Sequence, residues 1–472
     1  MRPTAAPDSV SLTFGARELA PIRTALRKAN AQFARVFPGE TGERQPVHTL
    51  YGGAHLFRSD SAPKLGALAL AALDEFAPDG QALARVLDLE AAAGSGAALA
   101  PPAPEFADTI RTRIANKLWR EPVEDFRLDF EDGYGNRPDR EEDDDARAAA
   151  ERMAAGMKAG TLPPFIGIRI KPMSNELHQR SLRTLNLFVT TLSRASHRSL
   201  PPNFAVTIPK VVTPAQVGAV TRACAALERR LKLRRGALRL EIMIETPQSI
   251  IAADGSCAVR TLVAAGGGRV RGAHFGTYDY TALCGITASW QQMRHSACDF
   301  AKEMMRVSLA QTGVWLSDGA TNIMPVGPHR AGSKGPLTEI ERAENRDVVH
   351  RAWKVHFDDI RHSLINGYYQ GWDLHPAQLV TRYAAVYSFF LSARAAATAR
   401  LRNFVEKAAQ ATLAGDVFDD AATGQGLLNF FVRGLSSGAL TPEDASETGL
   451  TREELEGRSF LKILRRHVVA GL

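Results

Sequence analysis

Short apolar runs rich in β-branched residues alternate along this chain with longer stretches of helical periodicity, a pattern typical of parallel strands joined by helices. Eight of these runs predict strands, at residues 47–53, 126–133, 165–172, 204–212, 238–247, 270–280, 312–320 and 368–376. An open, doubly wound sheet would not need eight strand–helix units. The pattern therefore predicts an α/β fold of the (β/α)₈ type, a TIM barrel.

Three stretches lie outside the repeat. Residues 1–46 contain a predicted amphipathic helix, and an insertion after the first strand, at about 58–122, is mainly helical by pattern. Residues 395–472 are predicted to be helical, with TPEDASETGL at 441–450 as a polar connector. The predicted division is an N-terminal helical extension (1–46), a barrel (47–394) and a C-terminal helical domain (395–472).

The run DREEDDDA at 139–146 contains six acids within seven residues. Acids complement the positive end of a helix dipole, so the run predicts the start of a helix with every acid in solvent. A metal site at this run is the less favoured alternative.

The composition is ordinary for a globular protein, with 45% hydrophobic and 23% charged residues in a chain of 472. The net charge of +7 is mildly basic, but no basic run is interleaved with aromatic residues, so no nucleic-acid partner is predicted. The four cysteines form no CxxC pair, which predicts neither a zinc site nor a disulfide framework. No apolar stretch fits a signal peptide or a membrane span, so we predict a cytoplasmic protein without membrane contact.

Polar residues gather at the ends of the predicted strands, where the active sites of TIM barrels lie. These residues are Asp129, Glu131, Asp132, Arg169, Lys171, Lys210, Glu245, Asp279, Asp318, Asp373 and His375. Asp129 and Glu131 alternate along one strand, so both are predicted to face the barrel interior. Glu241 precedes Glu245 by four residues and is predicted to lie near the opposite end of the barrel, without a catalytic role.

Glu245 and Asp279 are the predicted metal ligands. They end neighbouring strands, so both carboxylates can bind one ion. Mg²⁺ typically takes one or two carboxylates and keeps waters and substrate oxygens. Without a cation, two buried acids this close would repel each other. The alternative for either acid alone is a structural ion pair.

Arg169 lies on an apolar strand, and its planar fork can bind a carboxylate or a 2-oxo acid through two hydrogen bonds. The alternative is an internal salt bridge to Glu131 or Asp132. Both roles are compatible, because a supporting acid can orient the guanidinium. Lys210 offers a further alternative as a Schiff-base lysine, which the metal pair makes less favoured.

Six motifs in order resemble the superfamily of the citrate lyase β-subunit and the HpcH/HpaI-type aldolases. They are LDFEDG, IRIKP, IPKVVTPAQV, MIETPQSI, GTYDYTALCG and GWDLHPAQL, and the resemblance covers about residues 47 to 390. The superfamily is built on Mg²⁺-dependent barrels of this type. The resemblance implies that Glu245 and Asp279 bind Mg²⁺, with Mn²⁺ as the alternative ion, and that Arg169 holds the substrate.

Other features are similar to malate synthase, a member of the same superfamily. GTYDY resembles its Gly-Arg-Trp-Asp-Tyr stretch, which implies that Gly276, Thr277 and Tyr278 line the substrate pocket. The C-terminal FDDAATGQGLLNFF resembles the Glu-Asp-Ala-Ala-Thr motif, which implies that Asp420 is the catalytic base; the sequence alone would make it an ordinary helix start. Thr277 and Tyr278 replace Arg and Trp of the malate synthase motif, so the pocket beside the metal is expected to differ.

The resemblance implies an enzyme that forms or cleaves a carbon–carbon bond of a 2-oxo acid by aldol or Claisen chemistry through a metal-stabilised enolate, with or without an acyl-CoA as a second substrate. Glu131 and Asp132 are expected to orient the Arg169 guanidinium without contacting the substrate themselves. One alternative is a barrel that handles phosphoenolpyruvate or pyruvate, and another is an acyl-thioester-binding subunit of a larger lyase complex. Barrels of this kind often associate, so a homo-oligomer is expected.

Overall fold

The structure, a computed structural model, describes residues 13–39, 43–90, 105–332, 335–406, 412–414, 417–419, 421–456 and 463. Eight parallel strands close a barrel in chain order, with the last strand paired to the first. The strands are β1 (His48–Gly53), β2 (Asp125–Asp129), β3 (Phe165–Arg169), β4 (Phe204–Ile208), β5 (Arg239–Ile244), β6 (Val270–Phe275), β7 (Trp315–Ala320) and β8 (Gln370–Asp373). The predicted TIM barrel is confirmed.

Helices precede, surround and follow the barrel. They are α1 (Ala16–Val36), α2 (Ser61–Phe76), α3 (Gly80–Leu87), α4 (Phe106–Arg120), α5 (Asp139–Ala159), α6 (His178–Ala195), α7 (Pro214–Leu231), α8 (Pro247–Ile250), α9 (Val259–Ala264), α10 (Thr277–Leu283), α11 (Ser296–Leu309), α12 (Glu339–Ile365), α13 (Gln378–Glu406), α14 (Ala421–Ser436), α15 (Pro442–Ser446) and α16 (Arg452–Glu456). The described parts of the insertion after β1 are mainly helical, and α1 buries none of its residues.

The apolar core lies between the strands and the helices outside them. Outward-facing strand residues such as Leu128, Ile168 and Val206 are fully buried, and so are Phe188 and Leu192 on α6. Side chains alternate along a strand, so the intervening residues point into the barrel. Many of these inward-facing residues are charged, and they form ion pairs inside the barrel. We call the end of the barrel at the carboxyl ends of the strands its mouth.

The predicted strands run past the observed ladders at their ends. The prediction 270–280 is the clearest case, because β6 ends at Phe275 and Thr277 already begins α10. The helix forms there because the Tyr280 amide donates to the Gly276 carbonyl at 3.1 Å. Residues 277–279 therefore lie on the first turn of a helix.

The C-terminal region differs from the purely helical prediction. Two short antiparallel strands, β9 (Thr412–Ala414) and β10 (Val417–Asp419), pair before α14. The sequence TLAGDVFD has two β-prone runs about a Gly-Asp pair, which is a hairpin composition. Within the predicted polar connector, residues 442–446 form α15, and α13 runs without a break across the predicted boundary at residue 394.

The acidic run begins α5 as predicted, but not every acid is in solvent. Glu142 and Asp143 are buried. Arg180 on α6 lies 3.3 Å from the Glu142 carboxylate and also contacts Asp143, so the two acids join neighbouring helices. A helical face can bury acids when an adjacent helix provides a cation, which the local sequence does not show.

All four cysteines have free thiols, as their spacing predicted. None of the helices that the structure describes is long and apolar enough to cross a membrane.

Candidate active site at the barrel mouth

Seven of the predicted strand-end residues meet at the mouth of the barrel. They are Asp129, Glu131, Asp132, Arg169, Lys210, Glu245 and Asp279. They come from the ends of β2 to β6 and are linked through hydrogen bonds and ion pairs. The grouping follows from topology, since neighbouring parallel strands end at the same edge of the sheet.

Arg169 is held most firmly by Asp129, its direct register partner on the neighbouring strand. Its Nε donates to Asp129 Oδ1 at 2.7 Å and its Nη2 to Oδ2 at 2.5 Å, a two-point contact. Asp129 also accepts the backbone N–H of Glu131 at 2.9 Å and of Gly133 at 2.7 Å, so its orientation is fixed. The remaining nitrogen, Nη1, donates to Met243 Sδ at 3.7 Å and also lies near acids of the mouth.

Glu131 and Asp132 lie beside Nη1. Arg169 Nη1 lies 3.0 Å from Glu131 Oε2 and 3.7 Å from Asp132 Oδ2. Burial raises the pKa of the Glu131 carboxyl, and the neighbouring Asp132 raises it further, against the opposing effect of Arg169. Burial also acts to raise the pKa of Asp132, but Arg169 and Lys210 outweigh it and the pKa is lowered. The pair thus provides one buried and one exposed acid beside the arginine.

Lys210 joins the acidic groups of the mouth. Its ammonium contacts Glu131 and lies 3.3 Å from carboxylate oxygens of both Asp132 and Asp279. Burial acts to lower its pKa, but Glu131, Glu245 and Asp132 outweigh burial and raise the pKa above its ordinary value. A Schiff-base lysine must lose its proton to attack a carbonyl, so the surroundings of Lys210 oppose that alternative.

Glu245 is 1% exposed and lies directly beyond β5. Its Oε1 accepts the backbone N–H of Lys210 at 2.5 Å. Burial, followed by repulsion from Asp279, raises the pKa of Glu245 to about 8. Burial and Asp279 thus outweigh the effect of Lys210, which acts to lower the pKa of Glu245.

Gly276 gives Glu245 its space. A Cβ on Gly276 would lie 2.5 Å from Glu245 Cβ and 2.5 Å from Glu245 Oε2. The glycine is therefore required by the close approach of β5 and β6 at the mouth, and its predicted place beside the site is consistent with this contact.

Thr277 and Tyr278 occupy different surroundings. Thr277 is 1% exposed, and its hydroxyl has no hydrogen-bond partner among the described residues. The Tyr278 hydroxyl donates to the Ala320 carbonyl at 2.9 Å and accepts the Asn322 N–H at 2.9 Å. Tyr278 thus links α10 to the end of β7 and the segment after it through two hydrogen bonds, whereas the Thr277 hydroxyl has no partner among the described residues.

Four of the predicted strand-end residues lie away from this cluster. Asp373 binds Arg382 at 2.8 Å and Asp318 binds Lys302 at 3.1 Å, both on the helix side of the barrel wall. Lys171 donates to the Phe130 carbonyl at 2.8 Å, and the His375 ring accepts the Ala377 N–H at 3.2 Å. Asp373 follows the inward-facing Trp372, so strand alternation turns it outward.

Glu241 lies deeper in the barrel, on the β5 strand that precedes Glu245. Arg127 Nη2 binds it at 2.6 Å, Arg271 at 3.3 Å and His274 Nε2 at 3.2 Å. Burial acts to raise its pKa, but Arg127 and His274 outweigh it and hold the pKa well below its ordinary range. Its charge is thus fully paired, in agreement with the predicted structural role.

The mouth fits a divalent cation by its charge and donor chemistry. Five carboxylates meet two cationic side chains, and the unbalanced acids supply hard oxygen donors. Among the described residues no group of three or more His, Cys, Asp or Glu side chains is already arranged as a metal site. Mg²⁺ does not need one, because it binds through one or two carboxylates and keeps several waters.

Two features of the site were not predicted. Arg169 was expected to pair with Glu131 or Asp132, and its main partner is Asp129; the register of β2 against β3 decides this. The Tyr51 ring lies 4.8 Å from the Arg169 guanidinium carbon, a cation–π contact that no local motif indicates. Asp420, the predicted base, lies outside the described residues.

Comparison with known proteins places the chain in a family. Residues 26–463 match the family model described as a domain of unknown function, DUF6986. The match spans most of the chain, and the protein belongs to this family. No curated protein matches it.

The fold is similar to that of solved enzymes. A citrate lyase from Burkholderia xenovorans LB400 is 19% identical over 72% of this chain and 92% of its own, with a TM-score of 0.50. The CitE protein of Mycobacterium tuberculosis, solved with magnesium, acetoacetate and coenzyme A, is 15% identical over 84% of this chain and 99% of its own (TM-score 0.44). A Haloferax volcanii malate synthase is 13% identical over 78% and 95% (TM-score 0.40). The first likeness confirms the predicted resemblance at the level of the fold.

Proposed function

We propose that this protein is a Mg²⁺-dependent carbon–carbon bond lyase or synthase that acts on a 2-oxo acid by aldol or Claisen chemistry, with or without an acyl-CoA as a second substrate. The observation that carries the proposal is the excess of carboxylates around Arg169 at the barrel mouth. A divalent cation and an anionic substrate together complement that arrangement. A cytoplasmic location and a homo-oligomeric state stay predictions.

Glu245 and Asp279 would hold Mg²⁺, or Mn²⁺ as the alternative. Asp279 is the more accessible of the two, with a 38% exposed side chain, while Glu245 is buried with one oxygen fixed by the Lys210 amide. When bound, the ion would supply Lewis-acid stabilisation of negative charge on the substrate oxygens. In its absence Lys210 contributes the positive charge beside Asp279.

Arg169 would bind the substrate carboxylate through its Nη1 edge. Asp129 fixes the other two nitrogens, so little conformational freedom is lost when the substrate arrives. Glu131 and Asp132 lie next to Nη1 in the absence of a substrate. A bound carboxylate would take their place, and Lys210 would keep them neutralised.

Gly276, Thr277 and Tyr278 would form one wall of the substrate pocket. The buried, unpartnered hydroxyl of Thr277 is suited to donate a hydrogen bond to a substrate oxygen. Tyr278 would shape the wall through its link to the segment after β7 rather than through its hydroxyl, since that group is already paired on both sides.

Asp420 would act as the base that removes or returns a proton at the carbon next to the substrate carbonyl. The support is the resemblance of FDDAATGQGLLNFF to the malate synthase motif. A carboxylate base of this kind needs to reach the carbon only in the closed complex.

The metal assignment is tested with Asp279→Asn. Full-length protein is incubated in D₂O with Mg²⁺ and pyruvate, glyoxylate or oxaloacetate, each with and without acetyl-CoA, and α-proton exchange and product are followed by NMR. We expect the variant to lose metal-dependent turnover by at least about a thousandfold while its melting temperature is kept. Asp144→Asn, which removes a 66% exposed acid on α5, is the control and should leave turnover unchanged. Wild-type turnover by Asp279→Asn would refute the metal assignment.

The base is tested separately with Asp420→Asn. This variant should lose proton exchange and still bind Mn²⁺ as tightly as the wild type, measured by electron paramagnetic resonance. If exchange persists, the base lies elsewhere. Turnover of phosphoenolpyruvate alone, or turnover only after partner proteins are added, would replace the proposal with one of the two alternatives above.

A further inference from the structure

A second cavity lies at the opposite end of the barrel from the candidate active site. Its volume is about 520 Å³, within the range of small-molecule sites. Its walls include Arg239 at the start of β5, Val270 and Arg271 at the start of β6, and Val314 and Trp315 at the start of β7. These residues begin strands whose other ends carry the mouth, so the two sites are separated by the length of the barrel.

Arginines dominate the polar lining of this cavity. Among the described residues, Arg35, Arg239, Arg260 and Arg271 line it, together with one acid, Glu43. Arg271 is already engaged, with its Nε 3.3 Å from Glu241. Within the part of the chain that the structure describes, the other three form no ion pair with a carboxylate, and only Arg260 has a partner, the ring of Phe37 at 4.7 Å. Three guanidiniums are thus free to bind an anion at one concave surface.

The remaining lining is apolar. Val36, Val263, Leu309 and Val314 contribute aliphatic surface beside Trp315. A cavity of this volume holds more than a phosphate ion, and its apolar wall favours a ligand with a carbon skeleton. The combination of several guanidiniums and an apolar wall is the ordinary chemistry of sites for organic anions.

Helix α1 closes one side of the cavity through Arg35 and Val36 near its end. The helix buries none of its residues. Its connection to the barrel includes the contact of Phe37 with Arg260 and a hydrogen bond from the Gly39 amide to the Gln311 carbonyl at 2.9 Å. An anion bound between Arg35 and the barrel arginines would add a further link at this point.

We propose that this cavity binds an organic polyanion, a molecule with two or more phosphate or carboxylate groups on an apolar or ring-containing skeleton, and that α1 is held against the barrel by the bound ligand. The anionic groups would lie on Arg35, Arg239 and Arg260, and the skeleton on the apolar wall.

The test is calorimetric titration of the full chain at low ionic strength with EDTA present, so that metal-dependent binding at the mouth does not contribute. ADP, citrate and inorganic pyrophosphate are the probes. We expect one saturable site for ADP, citrate or both, with pyrophosphate weaker because it lacks a skeleton. Preference for ADP identifies an organic phosphate and preference for citrate a polycarboxylate. Arg239→Gln and Arg260→Gln should each weaken binding about tenfold.

Matched variants separate this site from general charge effects. Arg194→Gln removes an exposed arginine at the end of α6 and should leave binding unchanged, as should Arg169→Gln at the mouth. Arg35→Gln, on the exposed α1, should also weaken binding. Because this substitution lies outside the barrel, it tests the proposal even if a barrel variant folds poorly. The bound probe should also slow tryptic cleavage within α1.

The absence of saturable binding by all three probes would overturn the proposal. It is also overturned if Arg194→Gln or Arg169→Gln weakens binding as much as Arg239→Gln does. Equal affinity for pyrophosphate and ADP would show a site for inorganic anions only.

Discussion

The position of the Glu245 carboxylate depends on one missing side chain. Gly276 faces it across the β5–β6 edge, and a Cβ there would lie 2.5 Å from Glu245 Oε2. Contacts this short force one partner to move, and a buried carboxylate that moves also loses its hydrogen bond from the Lys210 amide. The proposed metal site is therefore expected to be sensitive to the addition of one methyl group at position 276.

We predict that Gly276→Ala lowers Mn²⁺ affinity by at least about tenfold and metal-dependent turnover by about a hundredfold, since small displacements of a ligand are costly in a preorganised site. Equilibrium titration and steady-state kinetics measure the two effects. Gly218→Ala on α7 is the matched control, because its nearest neighbour to the new Cβ is the Arg222 side chain at 3.4 Å. Equal effects of the two substitutions would argue against a special role of Gly276.

The residues of the site were predictable to different degrees. Glu245 and Asp279 were recognisable because an acid after an apolar strand is rare without a partner. Asp373 was wrongly grouped with them, although the period-two alternation of β8 turns it outward. The partner of Arg169 depends on the register between β2 and β3, which no local pattern determines.

At the scale of single elements, Glu124 fixes the entry into β1. It is fully buried, accepts the Val47 N–H at 2.8 Å, and lies 2.7 Å from Lys117 and 2.8 Å from Arg44. Burial acts to raise its pKa, but the two cations outweigh it and lower the pKa to about 2. The depressed pKa means that the folded state favours the ionised carboxylate. This contribution to stability is present above the ordinary pKa of about 4.5 and is lost as the pH falls toward 2.

We predict that Glu124→Gln lowers the free energy of unfolding by about 3 kcal/mol at pH 7, and that the difference from wild type shrinks between pH 4.5 and pH 2. Urea denaturation at several pH values measures it. Glu141→Gln removes a half-exposed acid paired with Arg137 and is expected to cost less than about 0.5 kcal/mol. If the difference in unfolding free energy between wild type and Glu124→Gln does not change with pH, the stabilisation does not come from the lowered pKa of Glu124.

Element types were easier to predict than element ends. Each of the eight predicted strands exists, because β-branched apolar runs between helical stretches leave few alternatives. The run 270–280 was extended too far because Thr277 and Tyr278 have strand-like composition, whereas the backbone there turns into α10 once the ladder to β5 has ended. Composition indicates whether a residue favours a strand, but it does not show where the neighbouring strand ends and the ladder of hydrogen bonds stops.

At the scale of the whole molecule, the C-terminal helices pack on the barrel's own helices. Phe431 and Leu428 on α14 are fully buried, and the Phe430 ring lies 5.3 Å from Phe390 on α13. Arg433 donates to Gln45 at 2.8 Å, just before β1. The sequence predicted a separate helical region after residue 394, since periodicity shows which helices are amphipathic but not which surfaces they cover.

This packing predicts that the barrel and the C-terminal helices unfold together. Phe431→Ala should lower the free energy of unfolding by about 3 to 4 kcal/mol through the cavity it creates. All five tryptophans precede residue 373, so their fluorescence reports the barrel region, while circular dichroism reports all helices. Both signals should shift by the same amount in one transition, and Leu68→Ala, at a 58% exposed position, should shift neither by more than about 0.5 kcal/mol. If Phe431→Ala instead leaves the fluorescence transition unshifted and the circular dichroism signal is lost earlier, the C-terminal region is an independent domain. The proposed base, Asp420, would then belong to a part of the chain that folds on its own.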